Sequence, residues 1–222
     1  MIGLEGANPF LQYFAPVSED FSNKGTIPLG VADTGQSWSV VASRGDSPSN
    51  PSRLTIIDGM LTNTVDTAES NAGYITANLG NVVKTIRCQF AFLGGSGSHG
   101  GTITLAIWKK HLYDLSNIPD ATCHMTVTDT AWAFGVFVNG VLVQLATDSF
   151  ASALATDGTI YNLEVVIEGT TATIHLPDGT TRTVTDARVS SGIAKFACFE
   201  VYQNNSATDP RPMFKSVFAD II

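Results

Sequence analysis

Apolar and polar positions alternate with a period of two over most of this chain, and that period predicts strands rather than helices. Trp132, Phe134, Val136 and Val138 share one side of such a segment, Asn139-Gly140 follows, and Val141 to Ala146 runs back. Asn-Gly suits a type I′ hairpin turn because both residues tolerate positive φ. Tyr161, Leu163, Val165 and Ile167 form a second apolar set, interleaved with Asn162, Glu164, Val166 and Glu168. One face of that strand therefore reads as buried and the other as mostly wet. Turns at Glu168-Gly169-Thr170-Thr171 and Pro177-Asp178-Gly179-Thr180 lead into Ala172 to Leu176 and Thr181 to Thr185. The whole stretch from Trp132 to Thr185 predicts an antiparallel meander of two successive hairpins.

The same parity extends to other segments. Gly73 to Leu79 and Lys84 to Leu93 read as paired strands, with Ile86, Cys88, Phe90 and Phe92 on one face of the second. Ile103, Leu105 and Ile107 face one way from the next strand, opposite Thr102, Thr104, Ala106 and Trp108. Ala197, Phe199 and Val201 likewise oppose Phe196, Cys198 and Glu200, and Met213 to Ile222 reads as a closing strand placed near an N-terminal one. Phe150 to Ala155 is the one segment expected to form a helical turn or two. Met1 to Ser18 shows little periodicity but carries Phe10, Leu11, Tyr13 and Phe14 between two prolines. So short a segment must bury its aromatics elsewhere, on its own domain or on a neighbouring subunit. Residues 1–18 are therefore expected to form an extended arm and residues 19–222 one β domain.

Asp20-Phe21-Ser22, then Pro28 to Trp38 with its Asp33-Thr34-Gly35-Gln36-Ser37-Trp38 run, then a short strand, then Asp58-Gly59-Met60-Leu61, form an ordered succession. It resembles the opening of concanavalin A-like sandwich domains of laminin G or glucanase type, found in minor tail and other virion proteins of actinobacterial phages. Leu176-Pro177-Asp178-Gly179 and the ending from Phe199 to Asp220 are similar in order, so the resemblance covers roughly Glu19 to Ile222. It implies an all-β, concanavalin A-like jelly-roll of two antiparallel sheets. It also implies a virion structural protein, either a minor tail component or a capsid decoration protein, made in the host cytoplasm and assembled with other virion proteins as a homo-oligomer. Within the Asp33 to Trp38 run, Asp33 and Thr34 can bond the loop backbone and Trp38 can anchor it on a sheet, so folding is its expected role.

Composition narrows the chemistry. With 12 basic and 20 acidic residues the formal charge is -8 and no Lys/Arg cluster exceeds Lys109-Lys110, so a nucleic-acid partner is not expected. Apolar residues reach 44% yet never run unbroken for the ~18 residues of a membrane helix, so no membrane insertion is expected. The Met1 end lacks the basic start and apolar run of a signal peptide. Cys88, Cys123 and Cys198 are far apart, and Cys88 and Cys198 read as small core residues rather than a disulfide. The glycine-rich run from Gly94 to Gly101 lacks a closing Gly-Lys-Ser/Thr and is followed by a strand pattern, so it reads as a loop and not a phosphate cradle.

Catalysis finds little support. Retaining glycosidases of this fold need two carboxylates ~5 Å apart, set close together on one strand, and no such run occurs. Glu164 and Glu168 share a strand face but lie more than ~10 Å apart. His99, His111, His124 and His175 form no ligand or nucleophile pair, and Asp114 to Asp120 lacks the dense spacing of a calcium loop. No cofactor is predicted, and a structural calcium stays open. Sugar recognition needs an exposed aromatic platform beside amides or carboxylates; Trp108, Tyr113, Tyr202, Asn204 and Asn205 are the candidates, for a host-surface glycan. The residues offer no catalytic pair, and the resemblance implies a non-enzymatic virion protein, with a carbohydrate-active enzyme, hydrolase or lyase, as the alternative.

Overall fold

The computed structural model describes residues 16–24, 30–41, 54–63, 71–95, 101–111, 118–190, 192–203 and 210–222. The first eight strands are β1 (Val17–Asp20), β2 (Ser39–Val41), β3 (Leu54–Ile57), β4 (Met60–Asn63), β5 (Asn71–Asn78), β6 (Thr85–Leu93), β7 (Gly101–Trp108) and β8 (Ala121–Val127). The rest are β9 (Ala131–Val138), β10 (Val141–Ser149), β11 (Tyr161–Glu168), β12 (Thr171–His175), β13 (Thr181–Thr185), β14 (Phe196–Gln203) and β15 (Arg211–Asp220). They form two antiparallel sheets. One has the order β13-β12-β11-β6-β15-β4-β3, with β1 on β15; the other runs β10-β9-β8-β7-β14-β5-β2. No helix among the described residues is long and apolar enough to cross a membrane.

Period-two alternation delivers one face of each strand to the space between the sheets. Ile86, Cys88, Phe90 and Phe92 of β6 meet Ile103, Leu105 and Ile107 of β7 there, with Phe134, Val136, Leu163, Val165, Phe199, Val201 and Phe214. Burying these ten Phe, Leu and Ile side chains contributes on the order of 20 kcal/mol before chain entropy is subtracted. Cys88, Cys123 and Cys198 are buried free thiols, each pushed up by burial and so protonated. Asn139 and Gly140 both take positive φ, as the hairpin turn requires.

Three local expectations are overturned. The meander is split: β9 and β10 belong to the seven-stranded sheet, whereas β11, β12 and β13 belong to the other. Between them the chain crosses the sandwich, where Phe150 and Leu154 are buried and their amides donate to Thr130 O and Asp129 O at 2.9 and 2.7 Å. Those bonds replace the i to i−4 ladder, so the helical turn expected at Phe150 to Ala155 does not form. Nor do β5 and β6 pair. Leu79 N and Val83 N donate to Lys195 O and Ala194 O, and Lys84 N to Asp220 O, which carries the connection from one sheet to the other.

The two ends of the described chain meet as expected, with Val17 opposite Ala219 and Asp20 opposite Ser216. Strand β1 reaches back to Val17, so Val17 and Ser18 lie in the sheet rather than in an arm. Phe10, Leu11, Tyr13 and Phe14 lie outside the described residues.

The Asp33 to Trp38 run is the clasp that holds β1 in place. Along the edge of β1 turned away from β15, Ser18 N donates to Thr34 Oγ1 and Asp20 N to Asp33 Oδ2, both at 3.0 Å. The two side chains stand in for a missing neighbour strand, taking the place of water on the amides of an exposed edge. Gln36 Nε2 donates to Pro16 O at 3.1 Å, and the loop is closed by Ala32 N to Gln36 O at 2.7 Å. Beneath it Trp38 Nε1 donates to the fully buried Glu19 at 3.0 Å, and Lys24 Nζ sits 3.4 Å from the same carboxylate. Burial is the largest influence on Glu19 and raises its pKa, with Asp33 pushing the same way; the Trp38 bond and Lys24 oppose it.

Candidate functional site

The outer face of the seven-stranded sheet is recessed into a cleft of about 570 Å³, within the range of small-molecule sites. Its origin is the size of the residues in three cross-strand rows. In the middle row Cys198, Ala106, His124 and Gly135 stand opposite one another on β14, β7, β8 and β9. Three of those four side chains are small, so the sheet surface dips there. At one end the row Phe196, Trp108, Ala121 and Phe137 rises as an aromatic wall. At the other, Tyr74, Glu200, Thr104 and Thr126 form a polar row, flanked by Tyr202 opposite Thr102.

Gly135 is required for closure as well as for depth. A Cβ there would come within 2.6 Å of Val143 O and 3.0 Å of Leu142 Cδ1, on the strand that folds over this edge of the cleft.

The aromatic end is packed ring on ring. Trp108 and Phe137 have centroids 5.1 Å apart, His124 and Phe137 5.0 Å, and Trp108 and His124 6.1 Å. Burial lowers the His124 pKa to about 4, so its imidazole is neutral at pH 7 and presents one donor and one acceptor nitrogen. Glu200 is half-buried and is the one carboxylate among the described residues of the cleft. At the rim, Asp120 Oδ1 accepts from Asn139 N at 2.6 Å while Oδ2 meets Lys109 Nζ at 3.5 Å, tying the start of β8 to the hairpin turn.

Of the sequence candidates, Trp108 and Tyr202 both line this cleft. Trp108 is 4% exposed, so it is a wall stone held by Phe137 and His124 and not the open platform expected; Tyr202 is the partly exposed ring. Tyr113, Asn204 and Asn205 lie outside the described residues. Sequence reading missed Tyr74, His124 and Phe137 as site residues and placed Glu200 on the correct face without singling it out. No group of three or more His, Cys, Asp or Glu side chains among the described residues is placed to hold a metal ion.

What this amphipathic recess can do is seat a ring with one apolar face and polar edges. Aromatic walls accept C–H faces, while Glu200, His124 and the three threonines of β7 and β8 offer partners for hydroxyls.

No protein-family model matches the sequence, and no curated protein matches it. Solved structures do match in fold. The CBM2 module of an evolved Dit from Lactobacillus casei BL23 phage J-1 aligns with a TM-score of 0.60 at 12% identity, over 92% of this chain and 96% of that one. The carbohydrate recognition domain of Emp47p aligns at 0.62 and 10%, over 92% and 94%. The Bacillus licheniformis β-glucanase aligns at 0.61 and 9%, over 95% and 100%. The chain is thus an all-β, concanavalin-like sandwich of two antiparallel sheets, a fold shared by lectin-type domains, carbohydrate-binding modules and glycosidases.

Proposed function

We propose that this chain is a non-enzymatic carbohydrate-binding virion protein of a phage, which uses the cleft of the seven-stranded sheet to hold a glycan of the host surface. The observation that carries the reading is the cleft itself, with an aromatic wall at one end and, at the other, a row of hydroxyl-bonding side chains that includes a single carboxylate. Glycoside hydrolysis in the usual manner needs an acid and a second carboxylate across the bond, and the described lining of the cleft contains one carboxylate, Glu200. The phage Dit module and the Emp47p recognition domain support binding, and the phage source of the former supports a virion role in tail or head.

Two experiments test this. On an array of bacterial cell-wall polysaccharides the chain should bind, and Tyr202→Ala or Glu200→Gln should weaken that binding by at least about tenfold with the fold intact. Release of new reducing ends from a bound polysaccharide would instead establish the hydrolase, the alternative that the β-glucanase likeness keeps in view. Immunogold electron microscopy of particles should label the tail tip or the head; unlabelled particles, intact and opened, would remove the virion assignment.

A further inference from the structure

The opposite outer face, on the eight-stranded sheet, carries a groove of about 460 Å³ that the cleft does not use. Its floor is a polar ladder fixed by strand register. One row runs Phe218, Arg87, Glu164, His175 and Thr181 across β15, β6, β11, β12 and β13. The neighbouring row runs Ser216, Gln89 and Asn162 across β15, β6 and β11.

Each member is oriented by the next. Arg87 lies 4.2 Å over the Phe218 ring and 3.7 Å from Glu164. Glu164 stands 3.9 Å from His175 Nε2, whose Nδ1 is 3.1 Å from Thr181 Oγ1. Ser216 Oγ donates to Gln89 Oε1 and Gln89 Nε2 to Asn162 Oδ1, both at 3.3 Å.

Planar, pre-oriented donors and acceptors on a rigid sheet are the groups that recognise paired hydroxyls, because little side-chain entropy remains to be lost on binding. The rows lie ~7 Å apart along the strands and their members ~4.8 Å apart across them, so one sugar ring reaches both rows and two strands. Other occupants fit poorly. A protein interface of any strength needs buried aromatic or aliphatic anchors, and the one large apolar ring here, Phe218, is covered by Arg87. Glu164 and Asp20 in the groove set acid against a polyanion.

We propose that this groove is a second carbohydrate-recognition face, selective for a neutral, hydroxyl-rich sugar, and independent of the cleft. Arg87, Gln89, Asn162 and Glu164 make the contacts. The proposal stands or falls separately from the reading of the cleft.

The test is nuclear magnetic resonance on the isotope-labelled full chain, titrated separately with glucose, galactose, N-acetylglucosamine and rhamnose. With at least one sugar the side-chain amide signals of Gln89 and Asn162 should shift saturably. In Arg87→Ala/Asn162→Ala, a surface double variant expected to fold normally, the Gln89 shift should need at least about tenfold more of that sugar. Glu200→Gln should leave it unchanged, while the Thr104 and Thr126 amides report the cleft. Gln89 and Asn162 signals that stay still with all four sugars would overturn the proposal. So would a Gln89 titration that is identical in the double variant.

Discussion

The molecule contains two neighbourhoods built around a tryptophan and a carboxylate, and they serve different ends. Trp38 and Glu19 are joined by a direct bond, Lys24 closes the remaining side, and neither side chain meets solvent to any useful extent. Trp108 is also buried, but the carboxylate on the adjacent strand, Glu200, which stands opposite Thr104 rather than Trp108, sits half-buried at a recess wide enough for a ligand. Residue type is therefore not what separates a clasp from a binding site. What separates them is whether the chain itself fills the space in front of the polar group.

The sharpest way to break the comparison is to remove each anchor. Trp38→Ala should cost about 3–5 kcal/mol, since it empties a core site and leaves Glu19 without its donor, and a urea titration should show the midpoint fall. Tyr202→Ala, by contrast, should barely move that midpoint while weakening glycan binding. A midpoint loss of similar size in both variants would erase the distinction.

His124 gives a pH test of the cleft wall. Its folded pKa, about 4, is depressed from 6.5 by burial, so the unfolded chain takes up the proton first as pH falls. The stability linked to neutral His124 is present above pH 6.5 and is lost as pH falls through about 4. Relative to His124→Gln, the native chain should lose about 2–3 kcal/mol between neutral pH and pH 4, as unfolding free energies at several pH values would show. Parallel pH curves for the two proteins would mean that the imidazole is not held in a dry wall. Glu19 acts with the opposite sign, because its pKa is raised: the stability linked to its protonated form is present below 4.5 and is lost as pH rises through the folded value.

Gly135→Ala addresses the depth of the recess. The added Cβ meets backbone at Val143 O, so a cost of about 1–3 kcal/mol is expected, together with weaker sugar binding because β10 must move. Thr34→Val is the mildest change. It removes the acceptor for Ser18 N at an edge open to water, and a loss of about 1 kcal/mol with unchanged binding is expected.

How much of this could be read beforehand follows from the range of the interactions. The faces of β6, β7, β9, β11 and β14 were legible because parity is local: Ile103, Leu105 and Ile107 reach the core by the same rule that turns Trp108 outward. The Asn139-Gly140 turn was legible for the same reason. A folding role for the Asp33 to Trp38 run was legible too, but its partners were not: Asp33 and Thr34, read as bonding their own loop, instead accept from Asp20 N and Ser18 N of β1, far back along the chain. Sheet membership was not. Nothing near β5 says that its partners lie at 39–41 and 196–203 rather than in the next strand, and the crossing at Phe150 to Ile160 is decided by what Phe150 and Leu154 bury against. The cleft was half legible. Trp108 and Tyr202 carry suggestive ring chemistry, but the recess depends on Cys198, Ala106 and Gly135 falling into one row across three strands. That is a property of register between segments far apart in the chain.

The most direct test of the central claim is isothermal titration of the full chain with the polysaccharide it binds best, beside Glu200→Gln and Tyr202→Ala at matched folding stability. Measurable binding by the native chain, at least about tenfold weaker binding by each variant, and no reducing ends released are the expected results. Unchanged affinity in both variants would place any sugar elsewhere and contradict the assignment of the cleft.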